Sequence, residues 1–247
     1  MIGGHGRAAS AWRRNKRVPM LQDLPKSRGS SPRRLLAACL VAAALAGCAS
    51  TPPAALKSLP QRVEISSVPF YRGNANHSGS MALAAVLSAK GAPITPGLLD
   101  KPLGLPGAAE SLDSTIPKVA REYGMLVYPL DKRLDALLAQ VAAGYPVLLR
   151  FQEGSAWWSE PRYAVLIGYD RYKQRVLLRA GMHRRQLMSF DSFESAWAKE
   201  GSWAVLVQSP RQLPAQVDRQ RWLQAADELA RSGQEIAAKQ AVNSLGH

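Results

Sequence analysis

The stretch Val68-Pro69-Phe70-Tyr71-Arg72-Gly73-Asn74-Ala75-Asn76-His77-Ser78-Gly79-Ser80-Met81-Ala82-Leu83-Ala84 changes character part-way along. Its first ten residues carry Pro, Gly and two Asn and read as irregular chain. From Gly79 the pattern predicts a helix over residues 79–90, with Met81, Leu83, Val86 and Leu87 on an apolar stripe, Ser78 placed to cap its start and Gly91 to stop it. A second helix is expected over 114–123, with Pro117 in its first turn and Gly124 closing it. A third, over 131–143, has Leu134, Leu137, Leu138 and Val141 at helical spacing and Gly144 as its stop. After that the period shortens. Residues 147–151, 163–169, 176–179, 186–189 and 203–208 are short β-branched, aromatic and leucine runs between turn residues, which predicts antiparallel strands. Asp191-Ser-Phe-Glu194 has the spacing of a capping box and predicts one short helix among them. Helices followed by an antiparallel sheet give an α+β domain, with N-terminal helices packed on the sheet, over residues 67–210.

Residues 211–247 form a second segment. After Pro210 and Pro214, two helices broken at Ser232-Gly233 are expected, with Trp222, Ala226, Leu229, Ile236, Ala237 and Val242 on the inner faces. This helical hairpin resembles a single tetratricopeptide unit. One unit alone cannot bury its apolar face, so it must dock on the domain or on a partner.

Upstream, Arg33-Arg34 precedes twelve uncharged residues, 35–46, and then Gly47-Cys48-Ala49-Ser50. A basic segment, a short apolar run and small residues at its exit define a secretory signal, too short to span a bilayer. Leu45-Ala46-Gly47-Cys48 resembles the lipobox of bacterial lipoproteins. The resemblance implies a signal segment at 1–47 and a mature chain that begins at lipidated Cys48 and is held to a membrane by its acyl chains. Ala49 after the cysteine implies sorting to the outer membrane, on its periplasmic side. Met1 to Ser30 is long for the basic segment, which leaves Met1 and Met20 as alternative starts. Residues 48–66, small and Pro-containing, read as a flexible tether.

The signal reading revises the charge balance. The 247-residue chain carries 32 Lys and Arg against 18 Asp and Glu, a net charge of +14 that on its own suggests nucleic acid. Residues 1–47 hold nine of those cations and one acid, Asp23, leaving 23 against 17 and a net +6 without any long basic run. No nucleic-acid partner is expected. The expected partners are the membrane, through Cys48, and a peptide or envelope protein. Beyond Cys48 the mature chain has no cysteine, no Gly-rich phosphate loop and no His-x-x-x-His spacing, so no cofactor or metal is expected.

Taken together, Val68-Pro-Phe-Tyr71, Ser78-Gly-Ser-Met-Ala-Leu-Ala84, Ala142-Ala-Gly-Tyr-Pro146-Val-Leu, Tyr163-Ala-Val-Leu-Ile-Gly-Tyr-Asp170 and Leu178-Arg-Ala-Gly181 resemble, in order, the papain-like cysteine peptidases that process bacteriocin and double-glycine leaders. The resemblance runs from about Val68 to Pro210 and implies a papain-like fold. It does not bring the chemistry with it. A thiol peptidase needs a Cys at the positive end of a helix, a His to take its proton and a side-chain donor for the oxyanion. The resemblance puts Ser78 at the Cys position, Arg162 at the His position, Gly73 at the oxyanion glutamine and Ala180 at the further polar position. It therefore implies a catalytically inactive domain that keeps a peptide groove, lined by Ser78, Trp157, Trp158 and Arg162, with Arg162 a fixed cation for a carboxylate.

Two alternatives stay open. Ser78 is either a helix cap or an atypical nucleophile, for which His183, beyond the Gly181 turn, is the better base, since His77 is its immediate neighbour and His247 the last residue. Trp157-Trp158 either stacks on a ligand or clamps the sheet edge. Glu153 and Glu160 are expected to pair with Arg150 and Arg162 at the surface.

Overall fold

The computed structural model describes residues 54–154 and 157–246. The signal segment, Cys48 and His247 lie outside them. Residues 52–247 form one compact unit.

Ordered structure begins earlier than the tether reading allowed. Helix α1 (Ala54–Lys57) buries Leu56, and strand β1 (Arg62–Glu64) pairs with β4 (Ser159–Asp170), Arg62 opposite Asp170 and Glu64 opposite Gly168. Around β1 Val63 and Ile65 face the cores, too few for a legible alternation. Residues 54–66 therefore belong to the packed domain.

The remaining elements are α2 (Ser78–Ala89), α3 (Pro96–Asp100), α4 (Leu112–Glu122), β2 (Leu126–Pro129), α5 (Leu134–Ala142), β3 (Val147–Gly154), β5 (Arg175–Ala180), β6 (His183–Ser189), α6 (Phe190–Lys199), β7 (Ala204–Gln208), α7 (Arg219–Arg231) and α8 (Glu235–Asn243). The strands run β2-β7-β3-β4-β5-β6, all neighbours antiparallel. The architecture is α+β, with helices on an antiparallel sheet and a helical hairpin at the C-terminus.

Both faces of the sheet are buried, which explains why β4 reads as a nearly continuous apolar run. Tyr163, Val165 and Ile167 face a core built with α2 and α4, whereas Ala164, Leu166 and Tyr169 face another built with α5, α6 and the C-terminal hairpin. Strand β2 was not expected. It has four residues, ends at Pro129, and is buried on both sides, Val127 to one core and Leu126 and Tyr128 to the other.

Several boundaries shift for local reasons. Helix α4 starts at Leu112, so Pro117 lies past its first turn and leaves one carbonyl without its helical N–H. Helix α6 is capped by Ser189, which accepts from the Ser192 N–H, and not by Asp191. In the hairpin Trp222, Ala226 and Leu229 are buried, but Ile236 is 78% exposed and Val242 47%. The buried positions of α8 are Ala238 and Ala241, small residues that let it approach Trp222, whose Nε1 donates to the Ala241 carbonyl at 2.7 Å. The hairpin docks on the domain: Trp222 packs on Tyr128, Arg121 pairs with Glu228, and Gln234 Nε2 donates to the Glu122 carbonyl.

Candidate functional site

Helix α2 delivers Ser78 to the middle of the molecule. Ser78 is its first residue, 2% exposed, with no capping bond from the preceding His77. Its Oγ accepts the Tyr163 backbone N–H at 3.1 Å, so the hydroxyl ties the helix to β4 and does not cap the helix. Tyr163 is fixed from its other end. Its hydroxyl donates to Asp113 Oδ1 at 2.5 Å, Arg150 Nη1 donates to Asp113 Oδ2 at 3.2 Å, and Arg150 Nε lies 2.8 Å from Glu200 Oε2. Burial first, and then Asp113, push the Tyr163 phenol far above its usual range, so it stays a donor.

Among the described residues no base reaches Ser78. His77 turns its Nδ1 to Asp100 Oδ2 at 3.2 Å. His183 is exposed on β6 opposite Ala180 and is not among the residues lining the cleft at Ser78. That cleft, bordered by Phe70, Tyr71, Met81 and Arg179, holds about 10 Å³, room for one water at most. Ser78 therefore lies at the floor of a narrow cleft, withdrawn from the surface.

The oxyanion position is closed by a neighbour. A Cβ on Gly73 would stand 2.6 Å from Met81 Sδ, so Met81 occupies the space that a side chain at 73 needs. Gly73 N–H is itself spent on the Gly181 carbonyl at 3.3 Å. The sequence held a signal for this: a glycine at 73 together with a bulky methionine at 81. Ala180, 3% exposed, brings no polar group. On the far side of Met81 an open cleft of about 480 Å³ is lined by Tyr71, Arg72, Asn74, His77 and Asp100.

Arg162 is not a free cation. It is 8% exposed, its Nε faces Glu153, and its Nη2 donates to Glu160 Oε1 at 2.6 Å. Arg150, expected to share those acids, serves Asp113 and Glu200 instead. Register explains the difference: Glu153 and Glu160 are directly opposite in the β3–β4 ladder, and such like charges repel unless a cation bridges them. Arg162, two residues along on the same face, is that cation. Its Nη1 also lies against the β5–β6 turn, 3.1 Å from where a Gly181 Cβ would be. The arginine staples the hairpin and does not present a charge to a ligand.

The staple holds the tip that carries the tryptophans. Trp157 is 97% exposed and Trp158 65%. A second cation that the sequence did not single out, Arg179, lines the Ser78 cleft at 9% exposure. Burial, reinforced by Arg184, draws its pKa below the usual arginine value.

No family model matches the chain, and no curated protein matches it significantly. Among solved structures it is similar to a C39-like peptidase from Bacillus anthracis, at 17% identity and a TM-score of 0.47, over 60% of this chain and 98% of that one. It is also similar to xylellain, a cysteine protease from Xylella fastidiosa, at 13% identity and a TM-score of 0.39, over 63% and 88%.

Proposed function

We propose that the chain is a bacterial envelope lipoprotein, anchored through Cys48 at the periplasmic side of the outer membrane. In this reading its peptidase-like domain is catalytically inactive and binds a peptide or protein. The observation that carries the inactive reading is the closed site: Ser78 Oγ is buried on the Tyr163 N–H, with no imidazole in contact and Met81 in the space of an oxyanion donor. Serine attack needs a base and a stabilised oxyanion, and neither group is there to provide them.

The binding reading rests on Trp157 and Trp158. Two exposed indoles lie beside the hairpin strands that Arg162 staples, and tryptophans are frequent anchors of binding surfaces. The test is photocrosslinking in the intact envelope from a reactive side chain at position 157. One discrete adduct that disappears with Trp158→Ala supports the reading; no adduct, or one unaffected by that change, refutes it.

A further inference from the structure

The shortened tether and the charges around β1 together orient the domain. Five residues lie between Cys48 and Ala54, where the described structure begins, and six extended steps of chain reach about 20 Å. Leu56 is fixed in the core, so there is little slack beyond that point.

The cations cluster at the end of the sheet where the chain enters. Arg62 on β1 stands opposite Asp170 at the end of β4, and Asp170 stands opposite Arg175 at the start of β5. Between them the turn carries Arg171, Tyr172 and Lys173; Arg171 donates to the Pro60 carbonyl, and Tyr172 is 81% exposed. Arg62, Lys173, Arg175 and Arg185 rim a groove of about 100 Å³ whose floor includes Leu177 and Leu187. The acids at this end are Glu64, engaged by Arg62 and Arg185, and Asp170, which accepts the Lys173 N–H. Around the groove and its turn stand five cations, Arg62, Arg171, Lys173, Arg175 and Arg185, with Glu64 and Asp170 among them and one exposed aromatic ring beside them, while Asp191 lies beyond, next to Glu194.

We propose that this end, built from β1, the β4–β5 turn and the start of β5, is a docking surface for anionic lipid headgroups. Lys173 and Arg175 make the electrostatic contact and Tyr172 sits at the headgroup level. The inference rests on the anchored reading of Cys48 for the short connector, whereas the charge arrangement stands without it. Cations near an anionic bilayer attract it, and amphipathic rings favour the interface. Strand β4 then points away from the bilayer. Its twelve residues at about 3.3 Å each hold Trp157 and Trp158 some 36 Å above the surface, clear of the headgroups and facing the envelope space.

Because residues 52–247 form one compact unit, a chain beginning at residue 49 and lacking the lipid tests the surface alone. It is floated with phosphatidylcholine vesicles, with and without about 30% phosphatidylglycerol, at low and high salt. The expected result is binding to the anionic vesicles only, weakened by salt. Each headgroup-facing cation contributes about fivefold, so Lys173→Gln/Arg175→Gln should weaken binding about 25-fold, and Lys118→Gln on α4 should leave it unchanged. Neither side chain of the pair makes an ion pair among the described residues, so the fold survives the change. Equal binding to neutral vesicles, or a double variant that binds like the parent, overturns the proposal, as does capture of an acidic peptide along edge strand β6 with no vesicle binding. The anchored reading is scored separately, by alkyne-fatty-acid labelling of the full chain and of Cys48→Ala. Absent labelling refutes the anchor, and absent vesicle binding refutes the surface.

Discussion

Replacing Arg162 by alanine removes the one cation between two carboxylates that the ladder holds face to face. Arg162 keeps 10% of its side-chain exposure, Glu153 19% and Glu160 29%, so all three are largely withdrawn from water. Truncating one partner of a buried ion pair costs about 3–5 kcal/mol, because the remaining charge is stranded. The carboxylates retain some solvent contact, which places the expected loss at the lower end, about 3 kcal/mol. For a domain of this size that corresponds to a melting temperature lower by about 6–12 °C. Circular dichroism melts and urea titrations measure it, and limited proteolysis should show faster cleavage between residues 154 and 158. The triple change Arg162→Met/Glu153→Gln/Glu160→Gln removes every charge at similar volume and should recover most of the loss. A loss below about 1 kcal/mol for Arg162→Ala, or no recovery in the triple variant, refutes the staple.

Three other outcomes follow from the same contacts. Gly73→Gln forces a side chain into the space of Met81 and should cost about 1–3 kcal/mol, with relief when Met81→Ala is added; a double-mutant cycle in urea reads the coupling. Trp222→Ala should cost about 3–5 kcal/mol and release the α7–α8 hairpin, seen as lost hydrogen-exchange protection in residues 219–243. Lys90, which donates to Gln208 and Gln212, has its pKa lowered by burial to about 8. Between that value and the ordinary 10.5 the unfolded chain holds the proton that the folded chain has lost. Stability from this group should therefore rise with pH through that window and stay flat below it, and Lys90→Met should flatten the rise in urea midpoints.

How much of this could be read in advance depended on the length and range of each contact. Helix α2 and strand β4 were legible because each carries a long apolar run with clear stops. Strands β1 and β2 were not, since three or four residues between turns and prolines give no period to read. The residues at 73, 78, 162 and 180 were visible in the sequence, but their contacts were not. The sequence suggested that Glu153 and Glu160 pair with Arg162, but that Arg162 takes both and leaves Arg150 to Asp113 and Glu200 follows from the register that sets Glu153 opposite Glu160. Ser78 reads as a cap until the fold brings its hydroxyl to the Tyr163 N–H, 85 positions along the chain. The inner face of α8 was assigned to its large apolar residues, Ile236 and Val242, whereas close approach to Trp222 selected the alanines. In each case the sequence showed the chemistry of the residue, and a long-range contact decided its use.

The most direct test of the inactive-scaffold account is hydrolysis of a diverse peptide library by the mature domain, with Ser78→Ala measured alongside. The account expects no cleavage above the buffer rate from either protein. Turnover by the parent that Ser78→Ala abolishes would contradict it.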